Sequence, residues 1–133
     1  MKYLAGVALL VVAALALAVP ARADHARFGP VLTVDAEYAR ALMEHGGVAP
    51  IDLRSEDDYR AGRLPGARSL PLSTLTARLE ELPRAGLIIL YGDGPIERLF
   101  GAYHFIRARR AGEIYVLEGG LEGWRRLGYQ LER

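Results

Sequence analysis

The sequence of 133 residues contains no cysteine. Disulfide bonds, thiolate metal sites and thiol chemistry are therefore excluded. Lysine is almost as scarce, because Lys2 is the only one and every other basic residue is arginine. Without disulfides, the chain has to be held together by an ordinary hydrophobic core, which a chain of this length can form.

The N-terminus has the layout of a secretory signal peptide. A short positive start precedes an unbroken apolar run over residues 4–19, and Ala21-Arg22-Ala23 places small residues at the two recognition positions. This pattern predicts that residues 1–23 are cleaved on export to the periplasm or the medium. The alternative is a membrane anchor formed by uncleaved residues 3–19. Residues 24–30 are then a short exposed leader.

Removal of residues 1–23 leaves 15 basic and 16 acidic residues, a net charge of −1. This balance gives no attraction to nucleic acid or to an anionic membrane.

Apolar runs alternate with helical patterns along residues 31–133. The predicted strands are "VLTV", "VAPIDL", "LIILY" and "EIYVL", and "LPGARSLPL" predicts a turn and a further short strand. This alternation predicts a parallel sheet with helices on both faces. Ser55 and Asp58 have the spacing of a helix cap. Further helices are predicted from Asp35, which can cap the helix, through about His45, from Ser73, which can also act as a cap, to Leu82, and from about Glu97 to Ala111.

The segment "LIILYGDGPIERLFGAYHF" at 87–105 leads from a strand through a glycine-rich turn into a helix. Backbone amides and the helix dipole favour a negative charge in such a turn. This turn contains no Cys, Ser, Thr, His or Lys, so it carries no ordinary nucleophile.

Two segments, "IDLRSEDDYRAGRLPGARSLPL" at 51–72 and "IYVLEGGLEGW" at 114–124, resemble the signatures of rhodanese-like domains. The resemblance covers residues 31–133 and implies a single domain with a five-stranded parallel sheet flanked by helices. It also implies an active site at the loop that follows a strand. The matching residues, which we interpret as mainly structural, are Asp52, Arg54, Tyr59, Gly62, Pro65, Gly66, Gly119, Gly120 and Trp124. Asp52 and Arg54 are well placed for an ion pair or for backbone capping. Arg63 occupies a position where many members have histidine.

Rhodanese-like sulfurtransferases carry sulfur on a cysteine that opens a six-residue loop, with the thiolate as the reactive form. Counting from the strand puts Gly92 in that place, and counting back from the last strand puts Asp93 there. The second count is favoured because it also places Arg98 at the sixth loop position, where the family often has arginine. Ile96 then replaces the mid-loop glycine of the family; in the Gly92 count Pro95 does.

The two counts predict different sites. An Asp93 carboxylate in the loop would accept hydrogen bonds from the loop amides. It would also repel an anion about 4 Å away by about 4 kcal/mol at an effective dielectric constant of about 20. With Gly92 in that place, the amides stay available to a bound anion. The loop candidates are Gly92, Asp93, Gly94, Ile96, Glu97 and Arg98.

The sequence therefore predicts an exported, catalytically inactive rhodanese-like domain that binds a periplasmic protein or a small anion at residues 92–98. No catalytic residue, metal, cofactor or nucleic-acid partner is expected. The alternative is an enzyme that hydrolyses a phosphoryl group or an ester with a metal at Asp93, helped by Glu97, Arg98 and Arg63. Retained thiosulfate sulfurtransferase activity is the weakest hypothesis. Arg107, Arg109 and Arg110, with Arg125 and Arg126, could form a basic patch, and we interpret them as a charged, solvent-facing surface.

Overall fold

A computed structural model of the protein describes residues 29–133. The predicted signal peptide and residues 24–28 of the predicted leader lie outside the described residues. Residues Val31–Arg133 form one compact unit. Within residues 29–133, no helix has the length and apolar character needed to cross a membrane.

One sheet of five strands organises the domain, in the order β1-β5-β4-β2-β3. All neighbouring strands are parallel. The strands are β1 (Thr33–Val34), β2 (Val48–Asp52), β3 (Arg68–Ser69), β4 (Leu87–Tyr91) and β5 (Ile114–Leu117). The central strand β4 is the most apolar because both of its faces are covered, as parallel sheets require.

The described chain contains four α-helices: α1 (Ala36–Glu44), α2 (Glu56–Ala61), α3 (Phe100–Arg107) and α4 (Gly120–Arg126). The first three connect strands, and α4 follows β5. Asp35 and Ser55 cap α1 and α2, since their side chains accept the amides of Tyr38 and Asp58.

Alternate residues of β4 enter two separate cores. Ile88 and Leu90 pack on one face with the α3 residues Tyr103 and Ile106. The other face is covered by α1 and α4, which contribute Ala36, Ala39, Leu121 and Trp124 to a core that contains Ile89 and Tyr91 of β4. The predicted rhodanese-like fold, a parallel sheet with helices on both faces, is confirmed.

The predicted helix from Ser73 to Leu82 is wrong. This segment forms two 3-10 turns, Leu72–Thr74 and Leu79–Glu81. The Thr74 hydroxyl donates to the Pro71 carbonyl at 3.2 Å, and this kind of local bond competes with a helix. Three of the first five residues of the predicted helix, 73–77, are serine or threonine, which are weak helix formers.

The helix predicted from about Glu97 to Ala111 is shorter than expected. Its first turn, Ile96–Leu99, is a 3-10 turn, and α3 extends only from Phe100 to Arg107. Gly112 then takes a left-handed conformation with φ of 99° as the chain turns into β5. This difference weakens the count that favoured Asp93, because that count assumed a helix of usual length.

Candidate functional site at residues 92–98

The loop of residues 92–98 lies at the carboxyl edge of the sheet, where open α/β folds bind their ligands. Tyr91 is the last residue of β4 and pairs with Asp52, the last residue of β2. Gly92 follows directly, and the loop then enters the 3-10 turn Ile96–Leu99.

Most amide groups of this loop are unpaired. Within the described chain, the N–H groups of Gly92, Asp93, Gly94, Ile96 and Glu97 donate to no protein acceptor. Arg98 differs, because its amide donates to the Pro95 carbonyl at 3.1 Å. Unpaired amides at the start of a helical turn form a site that favours an anion.

Asp93 does not fill this site with its own side chain. It is exposed, and among residues 29–133 no backbone amide donates to its carboxylate. The hydrogen bonds predicted for an Asp93 carboxylate in the loop are therefore missing. The Asp93 charge still has a small effect on Arg54. Burial lowers the pKa of Arg54, but the neighbouring Asp52 outweighs burial, so the pKa is raised overall. Tyr91 and Asp93 add smaller increases.

Gly92 is half-buried between two neighbours. A Cβ atom on Gly92 would lie 3.0 Å from Cδ2 of Leu99, which is tight, but that side chain is flexible. The Gly92 carbonyl oxygen lies 2.5 Å from the position a Cβ atom of Gly120 would take. Gly120 therefore has to lack a side chain for the loop to approach α4.

Arg98 is the cation of the loop. It is exposed, and its Nη1 lies 3.2 Å from the position of a Cβ atom on Gly94. Gly94 has φ of 70°, which suits glycine. In the described part of the chain, Arg98 forms no ion pair with Asp93 or Glu97. Its positive charge is therefore available beside the unpaired amides.

A buried polar network lies under the start of the loop. Arg54 Nη2 lies 2.7 Å from Asp52 Oδ2, and the Arg54 amide also donates to Asp52 Oδ1. The Tyr91 hydroxyl donates to Asp52 Oδ2 at 2.8 Å and accepts the Leu64 amide at 3.2 Å. Burial and the Asp52 charge raise the pKa of Tyr91. Both predicted roles of Asp52, ion pairing and backbone capping, are present.

The other matching residues of the segment 51–72, which is the first signature, stabilise the chain between α2 and β3. Arg54 Nη2 also donates to the Gly62 carbonyl at 2.6 Å, and the Tyr59 hydroxyl donates to the Ala67 carbonyl at 2.8 Å. Gly66 has φ of 72° at the turn that follows Pro65.

Arg63 is directed toward the C-terminus. It pairs through its backbone with Glu132, and its guanidinium lies 4.5 Å from the centre of the Tyr59 ring. None of its contacts is with residues 92–98. The structure therefore gives no support to a role for Arg63 in this loop.

The second signature, residues 114–124, includes the turn into α4. Gly119 and Gly120 have φ of 76° and 55°, and both conformations favour glycine. Trp124 is buried, and its indole N–H donates to the Gln130 carbonyl at 2.9 Å. These residues place α4 against the loop and carry no reactive group.

The described residues bring together no metal-binding group. Among residues 29–133, no set of three or more His, Asp or Glu side chains is arranged to hold a metal ion. Asp93 and Glu97 are both exposed, and neither has a charged partner within hydrogen-bond distance in this range.

Tyr91 belongs to this site but was not among the residues predicted from the sequence. Its hydroxyl joins Asp52 to the Leu64 amide across two strands. The one signal in the sequence is a polar hydroxyl at the end of an otherwise aliphatic strand, which requires a partner when it is buried.

Comparison with known proteins agrees with this fold. Residues 35–127 match the family described as Rhodanese-like domain. The protein belongs to the rhodanese-like family, and it does so without any cysteine.

Three similar proteins show the range of the relationship. The chain is 35% identical to the HTH-type transcriptional regulator Rv0324 of Mycobacterium tuberculosis over 91 residues, which are 67% of this chain and 39% of that protein. It is 34% identical to YqhL of Bacillus subtilis over 74 residues, 56% of this chain and 58% of that protein. The Alr3790 protein of Anabaena sp. superimposes with a TM-score of 0.66 at 27% identity, covering 74% and 81% of the two chains. The matched region is thus less than two thirds of both curated relatives.

Proposed function

We propose that the protein is an exported, catalytically inactive rhodanese-like domain that acts as a binding or accessory module, with residues 92–98 as its ligand site. The observation that carries this proposal is the set of unpaired loop amides in a chain that has no cysteine. A sulfurtransferase needs a thiolate to accept sulfur. The loop offers the anion-binding part of such a site without the acceptor.

The geometry supports a small anion as the ligand. Five unpaired amides and the unpaired guanidinium of Arg98 occur within seven residues. Asp93 opposes binding by its charge, but its exposure to water weakens that repulsion. A sulfate-like or phosphate-like anion held by the amides would lie where the family holds its transferred sulfur.

The first test is an assay of sulfur transfer from thiosulfate to cyanide. The full chain and its variants Gly92→Cys and Asp93→Cys are compared, with Gly92→Ser and Asp93→Ser as controls of the same shape that form no thiolate. Gly92 has no positive φ, so its backbone accepts a side chain, and Leu99 has to shift by a few tenths of an ångström. We expect no turnover in the wild type or the serine variants and measurable turnover in one cysteine variant.

Each outcome is informative. Turnover by the wild type would contradict the inactive domain. Activity in one cysteine variant identifies the position of the missing nucleophile and shows that the loop amides still bind the anion. If both cysteine variants are folded and silent, the anion site is wrong, and the search for a ligand moves to protein partners.

A further inference from the structure

A second positively charged site lies at the opposite edge of the sheet. A cavity of about 440 Å³ opens beside residues 83–84, ahead of β4, and residues 109–111, ahead of β5. Three arginines line it, namely Arg84, Arg109 and Arg110. The apolar lining includes Leu79, Leu82 and Ala111, and Glu80 supplies the acidic side chain of the lining.

The arginines of this cavity differ from six others in the described chain. Six arginines of the described chain form ion pairs with carboxylates: Arg40, Arg54, Arg60, Arg63, Arg78 and Arg125. Within residues 29–133, none of the three cavity arginines does so. Glu80 is exposed and makes no ion pair there either. The cavity therefore keeps an excess of positive charge.

Arg110 is a fixed cation with no counter-charge. Its Nε donates to the Pro83 carbonyl, and its Nη2 donates to the Gly86 carbonyl at 2.8 Å. Its Nη1 is buried and has no hydrogen-bond partner in the described chain. Burial lowers the pKa of Arg110. Carbonyl oxygens hold the guanidinium in place but do not neutralise it, and a charge removed from water without a partner is costly.

We propose that this cavity binds a small organic anion, one that carries a phosphate or carboxylate group on an apolar body. Guanidinium groups recognise the oxygens of these anions with charge-assisted hydrogen bonds. The exposed Arg84 and Arg109 contact the anion, and Arg110 contributes its fixed charge. The volume lies in the usual range of small-molecule sites, about 300–1,000 Å³.

The apolar lining selects against a bare inorganic ion. Leu82 is buried in the core next to α3, the half-buried Leu79 packs against the same core, and both line the cavity. Ala111 adds a methyl group beside the arginines. An apolar body that covers these side chains leaves water and increases the affinity.

The cavity is separate from residues 92–98. It lies ahead of the first residues of β4 and β5, whereas the loop follows the last residue of β4. Five residues of strand separate the two edges, which is about 16 Å. The proposal is therefore independent of the ligand proposed for the loop.

The test is calorimetric titration of the full chain with inorganic phosphate, phenyl phosphate and the neutral benzyl alcohol. We expect phenyl phosphate to bind most tightly, phosphate more weakly and benzyl alcohol not at all. Arg84→Gln combined with Arg109→Gln should weaken phenyl phosphate binding about tenfold or more, since two charge-assisted contacts are lost. Arg126→Gln is the matched control, because Arg126 is also exposed, lies on α4 on the other face of the sheet and does not line the cavity. Glu80→Gln should strengthen binding.

Three results would overturn the proposal. They are no binding of phenyl phosphate at millimolar concentration, equal affinity for phosphate and phenyl phosphate, and affinity that the double variant leaves unchanged. An Arg98→Gln variant separates the two sites. If that variant abolishes binding and the double variant does not, the anion binds at residues 92–98, which contradicts this proposal and supports the proposed function.

Discussion

The hydroxyl group of Tyr91 joins β4 to two other parts of the chain. It donates to Asp52 at the end of β2 and accepts the amide of Leu64, which precedes β3. Asp52 and Leu64 are fully buried, so water cannot replace a lost partner. The residue immediately before Gly92 is thereby fixed in position.

Tyr91→Phe is expected to lower the free energy of unfolding by about 1–3 kcal/mol, because it leaves the buried Leu64 amide unsatisfied and removes a donor from Asp52. Urea denaturation at neutral pH measures the loss. Tyr38→Phe is the control, since Tyr38 is 55% exposed, and it should change stability by less than about 0.5 kcal/mol. Equal effects of the two substitutions would show that the Tyr91 hydroxyl has no stabilising role.

Tyr91 also makes the free energy of unfolding depend on pH in the alkaline range. The folded protein raises the pKa of Tyr91, so the unfolded chain loses this proton first, near pH 10. The contribution of Tyr91 to the free energy of unfolding is fully present below that pH. Above it, the free energy of unfolding falls by about 1.4 kcal/mol per pH unit. The Tyr91→Phe variant lacks this term, so its deficit against the wild type should shrink above pH 10. Denaturation at pH 8 to 11 tests this, and a constant deficit would contradict it.

At the residue scale, the sequence predicted the pairing of Asp52 with Arg54 because the two residues are close in the chain and follow an apolar strand. It did not predict Tyr91 as their partner, because that contact depends on the register of β2 against β4. The contacts of the half-buried Arg110 were also missed, because its partners Pro83 and Gly86 are distant in the sequence. The charged run 107–110 suggested a solvent-facing surface, but the Arg110 side chain binds carbonyl groups of Pro83 and Gly86. For Arg110, the solvent-facing interpretation holds only in part, because the side chain is half-buried.

At the scale of elements, the contact between the loop and α4 depends on a missing side chain. A Cβ atom on Gly120 would lie 2.5 Å from the Gly92 carbonyl oxygen, and Gly120 has φ of 55°. Both the space and the conformation therefore exclude other residues. The start of α4 and the start of the loop are one packed unit.

Gly120→Ala is expected to destabilise the protein by about 2 kcal/mol or more, through backbone strain and the displaced loop. Gly101→Ala is the opposite case, because Gly101 lies within α3 and a Cβ atom there meets nothing within 4 Å. It should stabilise the protein by about 0.5–1 kcal/mol. Thermal unfolding of both variants measures the contrast, and a loss of stability in Gly101→Ala would refute it.

The two serines predicted as helix caps provide a further test at this scale. Ser55 caps α2 by accepting the Asp58 amide at 3.2 Å, whereas Ser73 lies within a 3-10 turn that has no side-chain cap. Ser55→Ala should cost about 1 kcal/mol, and Ser73→Ala should have an effect near zero. Urea denaturation compares them. An equal loss in Ser73→Ala would favour the helix that the sequence predicted.

The elements themselves were largely predictable. Burial on both faces makes β4 and β5 apolar and leaves Asp52 as the one charged residue of β2. The caps of α1 and α2 are local signals. The segment from Ser73 to Leu82 was not predictable from its leucines alone, because leucine residues fill the core equally well from 3-10 turns. The choice between Gly92 and Asp93 depends on where the helix begins after the loop, and a local 3-10 turn changed that position.

At the scale of the whole molecule, the proposal of export predicts a defined mature chain. If the protein is produced in a Gram-negative host, we expect the form recovered from the periplasm to begin at Asp24 and to carry the net charge of −1 given by 15 basic and 16 acidic residues. Intact-mass measurement and N-terminal sequencing check this. Recovery of the uncut chain in the membrane fraction would instead favour an anchor at residues 3–19.

The two edge strands of the sheet, β1 and β3, contain only two residues each within the described chain. A peptide that joins a sheet as an extra strand needs a longer row of free backbone groups than this. The Nη2 atom of Arg78 also donates a hydrogen bond to the Ser69 carbonyl oxygen of β3 at 3.1 Å, so this acceptor is already paired. Recognition of a partner by strand addition is thus disfavoured at both edges, as is edge-to-edge aggregation. We therefore expect a partner to recognise this domain through its loops and helix surfaces, by side-chain chemistry rather than by backbone pairing.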